Sequence, residues 1–200
     1  MTPTGESPRS RLHAVRRLVT DPPVGAMIGV LVLAAAWIML SRVAGTAPQS
    51  SVAPPSPRTG FSAPDFTLET LDGTQLTLSD LRGQPVLLNL WTSWCLPCRV
   101  EMPAIERVFQ RHRSDGLVVV GVNVTSQDSE AAARAFAEKL GLTFTIVLDR
   151  DGLVSDRYEL MGLPSTFFID RQGVVRAVII GGPMSEAVML SNIEDLLQGH

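Results

Sequence analysis

Two cysteines and three histidines in 200 residues leave several classes of protein without the side chains they need. Two cysteines cannot build the bridged framework of a small secreted module, and a chain this long buries enough surface to fold without one. A four-ligand zinc site would have to recruit histidine. His13 lies near the start and His200 ends the chain, while His112 stands between Arg111 and Arg113 on what reads as a solvated helix face. No metal is expected. A Gly-rich phosphate loop, an internal repeat and a basic stripe are also missing. Beyond residue 58 there are 11 basic against 18 acidic residues, which argues against nonspecific nucleic-acid binding.

Charge is absent altogether from residues 24–40. As a helix rising ~1.5 Å per residue this run reaches roughly 25 Å, enough to cross a bilayer core. Arg9, Arg11, Arg16 and Arg17 precede it and Arg42 alone follows closely. That bias places the N-terminus in the cytoplasm and everything after Ser41 outside. A buried core helix should show a polar face, and this run shows none. Cleavage as a signal peptide is the other reading, with Val43-Ala44-Gly45 offering small residues; the length favours an uncleaved signal-anchor. The resulting division is a cytoplasmic tail (1–23), a transmembrane anchor (24–44), a Pro/Ser-rich linker (45–58) and a folded domain (59–200). The linker holds Pro48, Pro54, Pro55 and Pro57 and cannot bury a core.

Both cysteines fall within Trp94-Cys95-Leu96-Pro97-Cys98, directly after the apolar run Val86–Trp91. If that run is a strand and Leu96 opens a helix, Cys95 lies at a helix N-terminus, where unpaired N–H groups and the dipole favour a thiolate. Cys98, one turn on, is placed to close a disulfide back to Cys95, and Pro97 suits a first turn that needs no N–H. The spacing predicts reversible dithiol chemistry needing no cofactor beyond the Cys95–Cys98 pair. An inert structural disulfide is the plainer alternative.

Around this motif, Asp72-Gly73 between short alternating runs at 66–68 and 76–78 predicts a hairpin, and Ser79 reads as the N-cap of a helical turn. Val86–Trp91 is too continuously apolar for a one-sided strand. A helix over 96–113 carries Val100, Ala104, Ile105, Val108 and Phe109 on its apolar stripe, with a kink expected at Pro103. A parallel strand at 117–124 completes a right-handed βαβ unit. A helix over 129–140 closed by Gly141, a strand over 143–148 and a short helix over 154–160 follow. Strands at 165–170 and 174–180 form an antiparallel hairpin before a last helix over 185–197.

This order is that of a thioredoxin fold, and the motifs carry a family likeness. Ala63-Pro64-Asp65-Phe66, Leu88-Asn89-Leu90-Trp91-Thr92-Ser93-Trp94-Cys95-Leu96-Pro97-Cys98-Arg99, Glu101-Met102-Pro103 and Leu163-Pro164-Ser165-Thr166-Phe167 resemble the membrane-anchored ResA/TlpA thioredoxin-like proteins. The likeness runs from about Thr59 to the C-terminus. It implies an α/β thioredoxin fold with an N-terminal hairpin and a helix-strand insert in the core. It also implies an extracytoplasmic thiol–disulfide oxidoreductase acting on polypeptide disulfides, with apocytochrome c as one substrate. A transmembrane thiol-transfer protein would supply electrons, and the chain would act as a monomer.

Within that likeness Cys95 is the nucleophile and Cys98 the resolving thiol, tuned by Leu96 and Pro97. Pro164 matches the family's cis-proline opposite the two cysteines, with Leu163 pairing to the incoming chain; a trans-proline loop stop is the plainer reading. Trp94 shapes the contact surface or fills core, and Trp91 leans to core. Asn89 stands where cytosolic thioredoxins carry a buried Asp, so proton handling must differ. Glu101 is a substitute base or simply a carboxylate facing solvent. Leu96 occupies a position where ResA-like members often place Glu, which removes that acid from any pH gating.

Two other functions compete. The opening Ala63-Pro64-Asp65-Phe66 and the pair Thr92 and Cys95 also fit a peroxiredoxin-like thiol peroxidase, although Leu88 stands where that motif has proline. A non-enzymatic peptide-binding module would need neither cysteine, and both are present.

Overall fold

The computed structural model describes residues 24–43 and 54–199, in two compact units, Met1–Ser51 and Val52–His200. The expected tail (1–23), most of the expected linker, His13 and His200 lie outside the described residues. In the first unit, helix α1 (Val24–Val43) covers the charge-free run. Side chains are described for residues 29–39 of it, and Val30, Leu33, Trp37 and Met39 among them are exposed. Within the part so described, no helix is long and apolar enough to cross a membrane.

The second unit opens with residues 54–62, read from sequence partly as linker. Pro57 is nevertheless buried, and the Ser56 N–H donates to the Ser62 carbonyl at 2.9 Å. Strands β1 (Thr67–Glu69) and β2 (Gln75–Thr77) form the predicted hairpin, with Gly73 at φ +86° in its turn. Both strands have the predicted length, each shifted one residue towards the turn. The Leu78 N–H donates to the Phe66 carbonyl and the Ser79 N–H to the Asp65 carboxylate, drawing Leu78–Leu81 into a 3-10 turn. Ser79 therefore donates to a cap from upstream instead of being the cap.

The sheet contains β3 (Val86–Trp91), β4 (Val118–Asn123), β5 (Thr145–Leu148), β6 (Ser165–Ile169) and β7 (Val175–Ile180), in the order β5-β4-β3-β6-β7. The first three are parallel, β6 runs antiparallel to β3, and β7 runs antiparallel to β6 and so points the same way as β3. Helices α2 (Leu96–His112), α3 (Glu130–Leu140), α4 (Leu153–Arg157) and α5 (Glu186–Gln198) complete the predicted thioredoxin fold, with α3 and β5 as the insert. Period-2 alternation divides β3 between two cores. Leu87 and Trp91 pack with Met102, Ile105, Phe136 and Met189; Val86, Leu88 and Leu90 pack with Phe66, Tyr158 and Phe167. Asn89 lies on the Leu87–Trp91 face, towards α2.

Helix α2 continues through Pro103. Its buried stripe is Cys98, Glu101, Met102, Ala104, Ile105 and Val108, so Val100, predicted on that stripe, points to solvent. The true stripe is rotated by one residue because Glu101, and not Val100, faces the sheet. His112 also departs from expectation: its side chain is largely buried, with Nδ1 2.9 Å from Asp115 Oδ2. Ser129 and Ser185 cap α3 and α5 through their hydroxyls, and Gly141 and Gly199 close them in the left-handed region. Helix α4 stops earlier than predicted. The Tyr158 hydroxyl donates to the Pro64 carbonyl at 2.8 Å, its ring packs edge-on to Phe66 and Phe167, and Glu159 turns the chain at φ +47°.

Candidate active site

The C-terminal end of β3 delivers Cys95 to the N-cap position of α2, with φ −70° and ψ 112°. Leu96 and Pro97 fill the first helical positions, where an absent N–H costs nothing. Cys95 and Cys98 are joined as a disulfide with Cα atoms 5.3 Å apart. The Cys98 N–H points at Cys95 Sγ at 3.2 Å. The same N–H and the helix terminus would favour negative charge on that sulfur once the bond is reduced.

Cys95 is only 4% exposed. It forms part of the wall of an open cleft of about 560 Å³, bounded by Trp94, Leu96, Met161 and Leu163. Approach is thus confined to one side, and that side is apolar. Trp94 and Leu96 are exposed. The Leu163–Pro164 peptide is cis and borders the cleft, as the sequence likeness implied.

The loop before Cys95 is strapped to the segment 125–128. Trp94 Nε1 donates to the Gln127 carbonyl at 2.8 Å. The Asp128 carboxylate accepts the Ser93 N–H at 2.6 Å, the Ser93 hydroxyl at 2.7 Å and Asn123 Nδ2 at 2.9 Å. Burial raises the Asp128 pKa, but these donors and the Ser129 N–H outweigh it and hold the carboxyl below its ordinary range. Arg99 adds a bond from Nε to the Ser93 carbonyl at 2.8 Å and lies 5.7 Å above the Phe136 ring.

Beneath the disulfide lies a polar cluster in the core. Glu101, one turn after Cys98, is 2% exposed, which overturns its reading as a carboxylate facing solvent. Its Oε1 accepts Asn89 Nδ2 and the Thr166 hydroxyl, each at 3.2 Å, and its Oε2 accepts the Met184 N–H at 2.8 Å. Asn89 Nδ2 also donates to Thr166 Oγ1 at 2.8 Å, while its buried Oδ1 has no partner among the described residues. Strand register explains the convergence, because Asn89 pairs directly with Thr166 across β3 and β6. Desolvation raises the Glu101 pKa and the three donors only partly offset it, so its carboxyl titrates above the ordinary glutamate value. Such a group can exchange a proton nearer neutrality than a surface carboxylate.

Gly182 makes this arrangement sterically feasible. A Cβ there would stand 2.8 Å from Glu101 Oε2, 3.1 Å from Met184 N and 3.1 Å from Pro164 Cγ. Sequence reasoning missed Gly182, Thr166 and Met184 as parts of the site, since each is far from the cysteines in the chain. The i, i+3, i+4, i+7 stripe of Cys98, Glu101, Met102 and Ile105 was the available signal that Glu101 points inward.

Residues 59–178 match the model of the AhpC/TSA family. Thioredoxin-like protein YneN of Bacillus subtilis is 46% identical over 123 residues, covering 61% of this chain and 71% of that protein. The thiol-disulfide oxidoreductase ResA of Geobacillus kaustophilus is 40% identical over 129 residues, covering 64% of this chain and 73% of the other. A crystal structure described as thiol:disulfide interchange protein DsbE from Chlorobium tepidum superposes with a TM-score of 0.65 at 32% identity, over 70% of this chain and 98% of that one.

Proposed function

Because the chain belongs to the AhpC/TSA family and is a thiol–disulfide oxidoreductase similar to ResA, we propose that it reduces disulfides in polypeptides on the outer face of a membrane. The observation that carries this reading is Cys95 at a helix N-cap, in the wall of an apolar cleft, with Cys98 in bonding reach and Glu101 buried one turn below.

In the reduced state the Cys95 thiolate attacks a substrate disulfide. A mixed disulfide forms and one substrate thiolate leaves. Cys98 then gives up its proton, for which Glu101 on the same helix face is the acceptor once it is ionised. Its thiolate attacks Cys95 Sγ, forming the Cys95–Cys98 bond and releasing the second substrate thiolate. Two electrons pass to the substrate and the oxidised pair remains. A dithiol donor must return them, and a membrane protein that carries thiol electrons across the bilayer fits that need. Trp94, Leu96, Pro97, Leu163 and Pro164 would hold the substrate chain beside Cys95. The arginine-flanked run at 24–40 supports a single-pass anchor with the N-terminus in the cytoplasm. The ResA likeness favours apocytochrome c before haem attachment among the substrates, with the chain acting as a monomer.

The test uses the full chain. It should reduce insulin disulfides, lose that activity as Cys95→Ser, and accumulate covalent adducts on Cys95 as Cys98→Ser. Rapid peroxide consumption without insulin reduction would reverse the reading. A phosphatase fused after the last residue should be active only if the domain lies outside the cytoplasm.

A further inference from the structure

Two grooves meet at one side chain. Met161, 81% exposed, lines the cleft over Cys95 and also a second groove of about 440 Å³. Tyr158 and Phe167 form part of the second groove's lining, with Val178 and Ile180 of β7 along one side. Arg58 also lines it, paired with Glu159 at 3.2 Å, so that among the described residues the charges in its lining neutralise each other.

β7 is the outer strand of the sheet. The Gly181 N–H donates to the Pro164 carbonyl at 2.8 Å, and Ser165 to Phe168 pair in register with Ile180 to Ala177. Antiparallel alternation then directs the amides of Ile179 and Ala177 to β6 and those of Val178 and Ile180 to the open edge. Further along, that edge is occupied: the Gly60 N–H and the Phe61 carbonyl bond to Val175 at 2.8 and 2.9 Å. Among the described residues nothing bonds to the outward amides of Val178 and Ile180. An open backbone ladder beside an apolar groove is the combination that binds an extended polypeptide.

We infer that this groove is a second contact for the polypeptide whose disulfide Cys95 attacks, and that it takes an apolar side chain a few residues from the reacting cysteine. The inference rests on the proposed reduction of polypeptide disulfides. Continuity through Met161 ties the groove to the Cys95 cleft, and the unpaired amides call for a peptide backbone. A small disulfide that ends at the cleft gains nothing from it.

The experiment compares synthetic peptides, each carrying one cysteine in a mixed disulfide with a small aromatic thiol. A single leucine is moved along an otherwise Ala/Ser sequence on either side of that cysteine. With the reduced full chain, one leucine position should raise the second-order rate constant of the single-turnover reaction by about tenfold over alanine. Ile180→Ser should remove that gain. Val178→Pro, a change tolerated on an edge strand, should remove it too by deleting one outward donor. Turnover of the free aromatic disulfide should stay unchanged in both variants. Equal rates for all leucine positions, or a gain that survives both variants, would overturn the inference while free-disulfide turnover persists. So would sedimentation showing a dimer that Ile180→Ser dissolves, since a second copy would then occupy the edge. Absence of free-disulfide turnover in the unaltered chain would remove both readings together.

Discussion

The Glu101 carboxylate accepts the Met184 backbone N–H at 2.8 Å, joining α2 to the loop before α5 across 83 residues of chain. With Asn89 and Thr166 on its other oxygen, this acid is stabilised by donors yet surrounded by core. Burial dominates and its pKa lies above 4.5. The consequences for stability and chemistry have definite signs.

A carboxyl whose folded pKa is raised binds its proton more tightly in the native state, so its contribution is most favourable below pH 4.5 and is lost as pH rises through the folded value. Glu101→Gln should remove this loss. Its amide can accept from Met184 and donate to Thr166 and, after rotation of the Asn89 amide, to the Asn89 oxygen left without a partner. Urea unfolding at pH 5 and pH 8 should show a smaller decline for the variant. The same variant should slow the resolving step, seen as longer-lived mixed disulfide in single turnovers.

Gly182→Ala places a methyl group against Glu101 Oε2, Met184 N and Pro164 Cγ at once. Displacing the Met184 donor leaves a buried carboxylate short of a partner, at a cost of about 1–3 kcal/mol. Denaturant titration measures that loss. Because a lost donor raises the Glu101 pKa further, the pH midpoint of insulin reduction should move to higher pH.

Asn89→Asp would set a second carboxyl about one hydrogen bond from the first. Two such groups share a proton and titrate as a pair, one step moving up. The variant should be nearly as stable as the parent at pH 5 and lose on the order of 3 kcal/mol at pH 8, where both acids ionise. Equal stability at the two values would show that the two side chains do not interact.

Strand and helix existence was legible in the sequence because long apolar runs and helical stripes report local geometry. The parallel crossover, the closing hairpin, and the Cys95 and Cys98 positions at the start of α2 followed from the same patterns. Glu101 was harder. A carboxylate on an amphipathic helix ordinarily faces water, and only its place between Cys98 and Met102 on the stripe pointed inward. Thr166, Gly182 and Met184 were out of reach, since nothing local marks a threonine, a glycine or a backbone amide as the partner of an acid 65 to 83 residues away. The early end of α4 escaped for the same reason, because Tyr158 is fixed by the Pro64 carbonyl, 94 residues upstream.

Asp128 gives a prediction of opposite sign. Its pKa is held below 3.8, so the strap on the loop before Cys95 contributes above that value and fades as pH falls through the folded pKa. Asp128→Asn should lower the melting temperature at pH 7, and the difference from the parent should shrink towards pH 3. Amide exchange at Ser93 and Trp94 should quicken in the variant at neutral pH.

The pairing of Asn89 with Thr166 ties proton chemistry to the register of two strands. A slip of one residue between β3 and β6 would turn one partner to the opposite face of the sheet and break the triad, leaving both cysteines where they are. Overpacking at Leu88 or Phe167, on the face turned away from the disulfide, would then surface as a changed redox rate before any measurable unfolding. The apolar packing on the far face of the sheet thereby acts as a tuning element for an acid on the opposite face.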